Sequence, residues 1–153
     1  MNIQIEKATK EHVPLILEAL PSVIREELEI VSGKSAREGL LDAINTADSS
    51  HVVIVDGQLV CMFGYHLKSL LTDTAYPWLI PTEHIKGKER TFAKYSKKWI
   101  DHLSGRFPNL VNAVYSENTR AIYWLKWIGF NLHDFIIFNG HEFIPYSMTR
   151  NDK

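Results

Sequence analysis

A chain of 153 residues with 45% hydrophobic and 23% charged residues has the length and make-up of one globular domain, which excludes disordered and collagen-like classes. A formal net charge of −1 exerts no long-range pull on nucleic acid or on an anionic membrane surface. The single cysteine, Cys61, excludes an intrachain disulfide framework and a cysteine-cluster zinc site, and its apolar neighbours Val60 and Met62 make it a core thiol.

The N-terminal stretch shows neither a signal peptide nor a span-length apolar run, so a cytoplasmic location is expected. In chain order, Ile3 and Ile5 alternate with polar neighbours, the period of a half-buried strand. Thr9 is placed to cap a helix carrying Val13, Ile16, Leu17 and Leu20. Beyond Pro21 a second helix shows Val23, Ile24, Leu28 and Val31 on one side. After the break at Ser32-Gly33-Lys34-Ser35 a third runs from Ala36 to Ala47, with Gly39 arguing against it. Two β-branched runs flank Asp56-Gly57, the signature of a tight hairpin. The segment 73–82, bounded by Pro77 and Pro81, reads as a strand, and 83–90 as a loop. An amphipathic helix over 91–103 is expected to turn Phe92, Tyr95, Trp99, Ile100 and Leu103 inward. A strand over 109–115, a helix from Thr119 and a hairpin around Asn139-Gly140 complete the chain.

The passage from Trp78 to Tyr115 predicts a right-handed strand–helix–strand crossover between parallel strands. Ligands in such sheets gather beyond the carboxyl ends of the strands, where helices begin. That directs attention to 83–90 and 116–118. The seven histidines lack metal-ligand spacing, and no metal is expected.

This order of elements, with the run Asn118-Thr119-Arg120-Ala121-Ile122 closing on Gly129-Phe130, resembles the GNAT superfamily of N-acetyltransferases. The resemblance covers nearly the whole chain, 1–153, as a single GNAT-like domain. It implies an α/β (α+β) fold of the acyl-CoA N-acyltransferase type, with a mixed central sheet and helices on both faces. Within the superfamily the run is most similar to a bacteriophage branch, that of the gene 13 protein of T7-like phages, linked to virion assembly.

The resemblance further implies acetyl-CoA as cofactor, held where two parallel strands part near Thr82 and Tyr115. The family's pyrophosphate loop falls on His84, Ile85, Lys86, Gly87, Lys88 and Glu89. Backbone N–H groups at a helix N-terminus suit a phosphate, and Gly87 permits close approach. A carboxylate at Glu89 opposes an anion, while Lys86, Lys88 and Arg90 compensate in charge. Asn118 and Ala121 are the cofactor-side residues of the next helix, and Asn118 is equally a good N-cap. Where the family carries its proton-donating tyrosine, this chain has Leu125, which cannot donate. Tyr115 and Tyr123 are the nearest hydroxyls, and Glu83 is the candidate base. The bland readings are a solvated loop for Glu83 and His84, and aromatic packing for Trp78, Trp124 and Trp127.

Two functions follow. One is an acetyl-CoA-dependent N-acetyltransferase, with activity weak or lost, acting on an acceptor amine or a protein partner. The other is a catalytically silent phage protein of the same fold, working in virion assembly or host interaction. Neither nucleic acid nor a membrane is an expected partner.

Overall fold

The computed structural model describes residues 1–69, 71 and 73–150. Its elements make a mixed α/β fold, and the chain divides into two compact units. Met1–His66 with Trp78–Lys88 form the first, and Leu67–Pro77 with Glu89–Lys153 the second.

In the first unit, β1 (Ile3–Lys7), β2 (Ser49–Val55) and β3 (Gln58–Leu67) pair antiparallel in that order. The β2–β3 turn is made by Asp56 and Gly57, at φ 50° and 83°, the left-handed pair that a two-residue hairpin needs. Three helices connect β1 to β2: α1 (Val13–Glu18), α2 (Ser22–Ser32) and α3 (Ala36–Thr46). Helix α2 stops at Gly33 with φ 70°, and Ser35 caps α3 by accepting the Glu38 N–H at 3.2 Å. Gly39 serves close packing: a Cβ there would lie 3.3 Å from the Leu28 carbonyl oxygen on α2. Val13, Ile16, Leu40, Val52 and Met62 are buried at the centre of this unit's core. Cys61 is also buried, and desolvation pushes its thiol up to about 12.

Strand β4 (Thr74–Pro81) gives its first half to the second unit and its second half to the first. In the second unit, α4 (Glu89–Arg106) leads to β5 (Asn109–Tyr115), followed by α5 (Thr119–Ile128). Next come β6 (Asn131–Leu132), β7 (Ile136–Phe138) and β8 (His141–Thr149). Strand β5 pairs antiparallel with β8 over its whole length, Asn109 opposite Thr149 and Tyr115 opposite Phe143. Strands β6 and β7 add to the other edge of β8.

The inward face of α4 differs from its expected composition. Ile100 and Leu103 are buried, but Tyr95 is exposed with the Lys98 ammonium 5.5 Å from its ring centre. Ser96 and Ser104 are buried instead. Ser96 is there because it has a partner: its Oγ accepts the Trp124 indole N–H at 2.8 Å, which removes the cost of an unpaired buried hydroxyl.

Candidate functional site

The loop after β4 is organised by Thr82, which is completely buried. Its hydroxyl donates to the Leu59 carbonyl at 2.7 Å and accepts the His84 N–H at 3.2 Å. Its own N–H reaches the Val60 carbonyl at 2.9 Å. A single 3-10 turn, Glu83–Ile85, follows where a plain loop was expected. The Ile85 and Lys86 N–H groups return to the carbonyls of Thr82 and Glu83 at 3.1 and 3.2 Å. Then Ile85 to Lys88 make a type II turn. Lys86 sits at φ −57°, ψ 131°, Gly87 at φ +83°, and the Lys88 N–H closes on the Ile85 carbonyl at 2.9 Å. A positive φ at the third position of this turn is the reason for a glycine.

The geometry bears directly on anion binding. The N–H groups of His84, Ile85, Lys86 and Lys88 are all engaged inside the loop, and that of Gly87 takes no part in those bonds. The space beside Gly87 is open, since a Cβ built there meets nothing within 4 Å. The Lys86 ammonium lies 2.8 Å from the Glu83 carboxylate, and the Lys88 ammonium donates to the His84 carbonyl at 3.1 Å. Glu83 therefore has its charge already met by Lys86. Ile85 is buried and anchors the turn.

The other group of expected residues lies in the second unit. Asn118 is buried at the start of α5, and its side-chain oxygen accepts the Ala121 N–H at 3.3 Å, the geometry of an N-cap. Tyr115 is buried at the end of β5, its ring centre 5.5 Å from that of Phe143 and 6.1 Å from that of His141. Tyr123 is 75% exposed, whereas Leu125 is 2% exposed and belongs to the core. Two residues apart on a helix means about 200° around the axis, so a hydroxyl at 123 does not replace one at 125. Trp124 is committed to α4 through Ser96 and through Phe92, 6.0 Å away between ring centres. Trp127 is exposed.

Two features escaped the sequence reading. The first is how β4 leaves β5. Among the described residues their parallel ladder holds Thr74 to Asn109 and Ala75 to Leu110 alone. The next carbonyl, that of Pro77, is met by side chains instead: Asn112 Nδ2 at 2.8 Å and Tyr146 Oη at 3.4 Å. Asn112 Oδ1 accepts the Ala113 N–H at 2.8 Å. A proline inside a strand, which has no N–H for a ladder, was the available signal.

The second is His66 in the first unit. Thr46 Oγ1 gives its one proton to the Asp42 carbonyl at 2.7 Å and lies 2.9 Å from His66 Nε2. The hydroxyl therefore accepts from His66, which fixes the Nε2–H tautomer and leaves the lone pair on Nδ1. Burial lowers the His66 pKa, with Asp48 opposing. At neutral pH the ring is an uncharged proton acceptor. Its centre lies 6.1 Å from that of Trp78.

Structures already solved share the fold of this chain. A GNAT-family acetyltransferase from Bacillus anthracis superposes with TM-score 0.70 at 13% identity, covering 99% of this chain and 96% of that one. The chain has the GNAT acetyltransferase fold. A second GNAT-fold neighbour is spermidine N-acetyltransferase from Vibrio cholerae in complex with CoA and spermine, at TM-score 0.69 and 13% identity over 98% and 96% of the two chains. RimL, a ribosomal α-N-protein acetyltransferase in complex with coenzyme A, matches at TM-score 0.67 and 14% identity over 100% and 97%. No protein-family model and no curated protein sequence matches the chain. At these identities it is the GNAT fold that is shared. Among the described residues no helix is long and apolar enough to cross a membrane.

Proposed function

We propose that the chain is an acetyl-CoA-dependent N-acetyltransferase of low activity, with an amine as acceptor. The observation that carries this reading is the early end of the β4–β5 ladder after Ala75 and Leu110. It is the parting of parallel strands that the GNAT resemblance associates with acyl-CoA. Two neighbours of this fold are CoA complexes.

The residues present fit the cofactor's phosphates in a particular way. The open side of Gly87, its N–H, and the Lys86 and Lys88 ammonium groups would hold them, with His84 and Ile85 keeping the turn in shape. One loop N–H in place of several makes the grip mainly a matter of charge, so binding is modest and weakened by salt. Asn118 and Ala121, which shape the first turn of α5, are the residues of that helix that the resemblance assigns to the cofactor. Bound acetyl-CoA would supply an activated thioester carbonyl.

The proton transfers fall to the chain. The acceptor amine must lose a proton, and His66 with its Nδ1 lone pair is better prepared for this than Glu83, which is paired with Lys86. With Leu125 in the core, the proton that the sulfur takes up has Tyr115 as its proposed source and Tyr123 as a weaker one. An imperfectly placed acid forfeits much of the roughly 10²–10⁴-fold that acid–base catalysis supplies, so slow turnover is expected.

The test is release of CoA thiol from acetyl-CoA with spermidine and with an N-terminal peptide amine as acceptors. Tyr115→Phe should lower kcat more than it changes KM, and His66→Gln should act on the acidic limb of the pH profile, where protonation removes the base. No turnover with any amine, despite CoA binding, would reject the transferase.

A second reading is favoured by Leu125 and by the self-bonded loop amides. It is a catalytically silent GNAT-fold phage protein that acts in virion assembly or host interaction. It predicts a stable fold with no affinity for CoA.

A further inference from the structure

Helix α5 is more aromatic than its packing requires. Leu125 and Ile128 are buried, and Trp124 closes the seam with α4 through Ser96 and Phe92. Tyr123 and Trp127 are left 75% and 52% exposed, so the core of the unit does not account for them. At about 100° per residue, the two rings stand about 40° apart around the helix axis. Arg120 lies about 20° beyond Trp127 on one side, and Lys126 about 60° beyond Tyr123 on the other. Both cations are exposed. The outer face of α5 is therefore an aromatic stripe with a positive charge on each flank, about 10 Å long.

Nothing negative answers those charges. Helix α5 contains no Asp or Glu, and among the described residues neither Arg120 nor Lys126 has an ion-pair partner. Trp, Tyr and Arg are also the side chains that most often carry the energy of protein–protein binding. Net charge decides the kind of partner. The formal charge of −1 includes these two cations, so the rest of the chain carries −3. A nucleic-acid strand, with a phosphate at every nucleotide, or an anionic lipid surface would meet that remainder along with the stripe. A protein helix can confine its carboxylates to the two flanks.

We propose that this face of α5 seats an acidic amphipathic helix of a partner protein. The partner's apolar stripe lies over Tyr123 and Trp127, and its carboxylates stand beside Arg120 and Lys126, as flanking charges do beside the seam of a coiled coil. The two rings order at little cost, having only two rotatable side-chain bonds each. They offer about 250 Å² between them, far below the area of a permanent complex, so dissociation constants of order 10⁻⁴ M are expected. Seating a helix there requires neither CoA nor turnover, so this proposal stands or falls apart from the transferase reading.

Fluorescence anisotropy of labelled, end-blocked peptides titrated with the full chain tests it. The probe is a helix of about 18 residues with leucines at i, i+3, i+4 and i+7 spacing and glutamates on both flanks. It should bind, and more weakly as salt rises toward ~0.5 M. A counterpart with lysine flanks, and one with serine in place of leucine, should not bind the same chain; these two need no substitution in the protein. Trp127→Ala should weaken binding about tenfold. Arg120→Glu combined with Lys126→Glu should exchange the preference, losing the glutamate peptide and gaining the lysine one. No binding at millimolar peptide, binding unchanged by Trp127→Ala, or an unchanged preference in the doubly substituted chain would overturn the proposal. Tighter binding of oligothymidylate or of phosphatidylserine vesicles, lost with the same substitutions, would overturn it equally.

Discussion

Replacing Thr82 by valine changes the shape of the side chain little and removes one hydroxyl, and the structure says what that hydroxyl does. It donates to the Leu59 carbonyl at 2.7 Å in a fully buried site and accepts the His84 N–H at 3.2 Å. Losing the partner of a buried carbonyl costs about 2 kcal/mol, and the partly buried His84 N–H adds about 1 kcal/mol. The expected loss is about 3 kcal/mol, which for a chain of this size lowers the melting temperature by roughly 6–12 °C. Thr82→Ser keeps both bonds and loses one methyl group, so its cost stays near 1 kcal/mol. Urea denaturation of the three proteins, followed by far-ultraviolet circular dichroism, gives the comparison. Because Thr82 starts the loop that bears Gly87, Thr82→Val should also weaken any binding at that loop. A valine variant within 0.5 kcal/mol of the parent would refute the assignment of Thr82 as the loop's anchor.

Three further outcomes follow from the geometry. A Cβ at Gly64 would meet the Ser49 carbonyl oxygen and come within 2.8 Å of Trp78 Cζ2, so Gly64→Ala should cost about 3 kcal/mol, read from its melting temperature. Asn118→Ala should lose about 1 kcal/mol of stability while Asn118→Asp loses almost none, as for a helix cap; a fall in CoA affinity with both would instead mark a cofactor contact. His66 has its pKa lowered by burial, so between the unfolded value of about 6.5 and the lower folded value the unfolded chain binds the proton first. Its contribution to stability is complete above about pH 6.5 and is lost as pH falls through the folded pKa. His66→Gln should flatten that part of the urea-midpoint profile, and an unchanged profile would contradict the assignment.

What the sequence disclosed was local chemistry. Asp56-Gly57 and Asn139-Gly140 announce their turns because only such residues accept positive φ readily, and Asn118 announces a cap because its partner is three residues away. The expected loop residues likewise emerged together, since they are contiguous. Long-range partnerships were not legible. Tyr95 has the spacing of an inward residue, yet Ser96 takes the buried position because a Trp124 indole, 28 residues on, satisfies it. Thr82 looks like an ordinary loop threonine until Leu59 is beside it. The bonds that Asn112 and Tyr146 make to the Pro77 carbonyl join residues 35 and 69 positions apart, and no periodicity encodes that. His66 was one of seven histidines, set apart by the burial that lowers its pKa, which no local pattern announces.

Calorimetric titration with CoA, at low and at high salt, tests the central claim most directly. The account predicts micromolar or weaker affinity that falls as salt rises and disappears in Gly87→Trp, which fills the open side of the turn. Absence of heat and of any thermal shift at millimolar CoA, in a protein that folds normally, would contradict it.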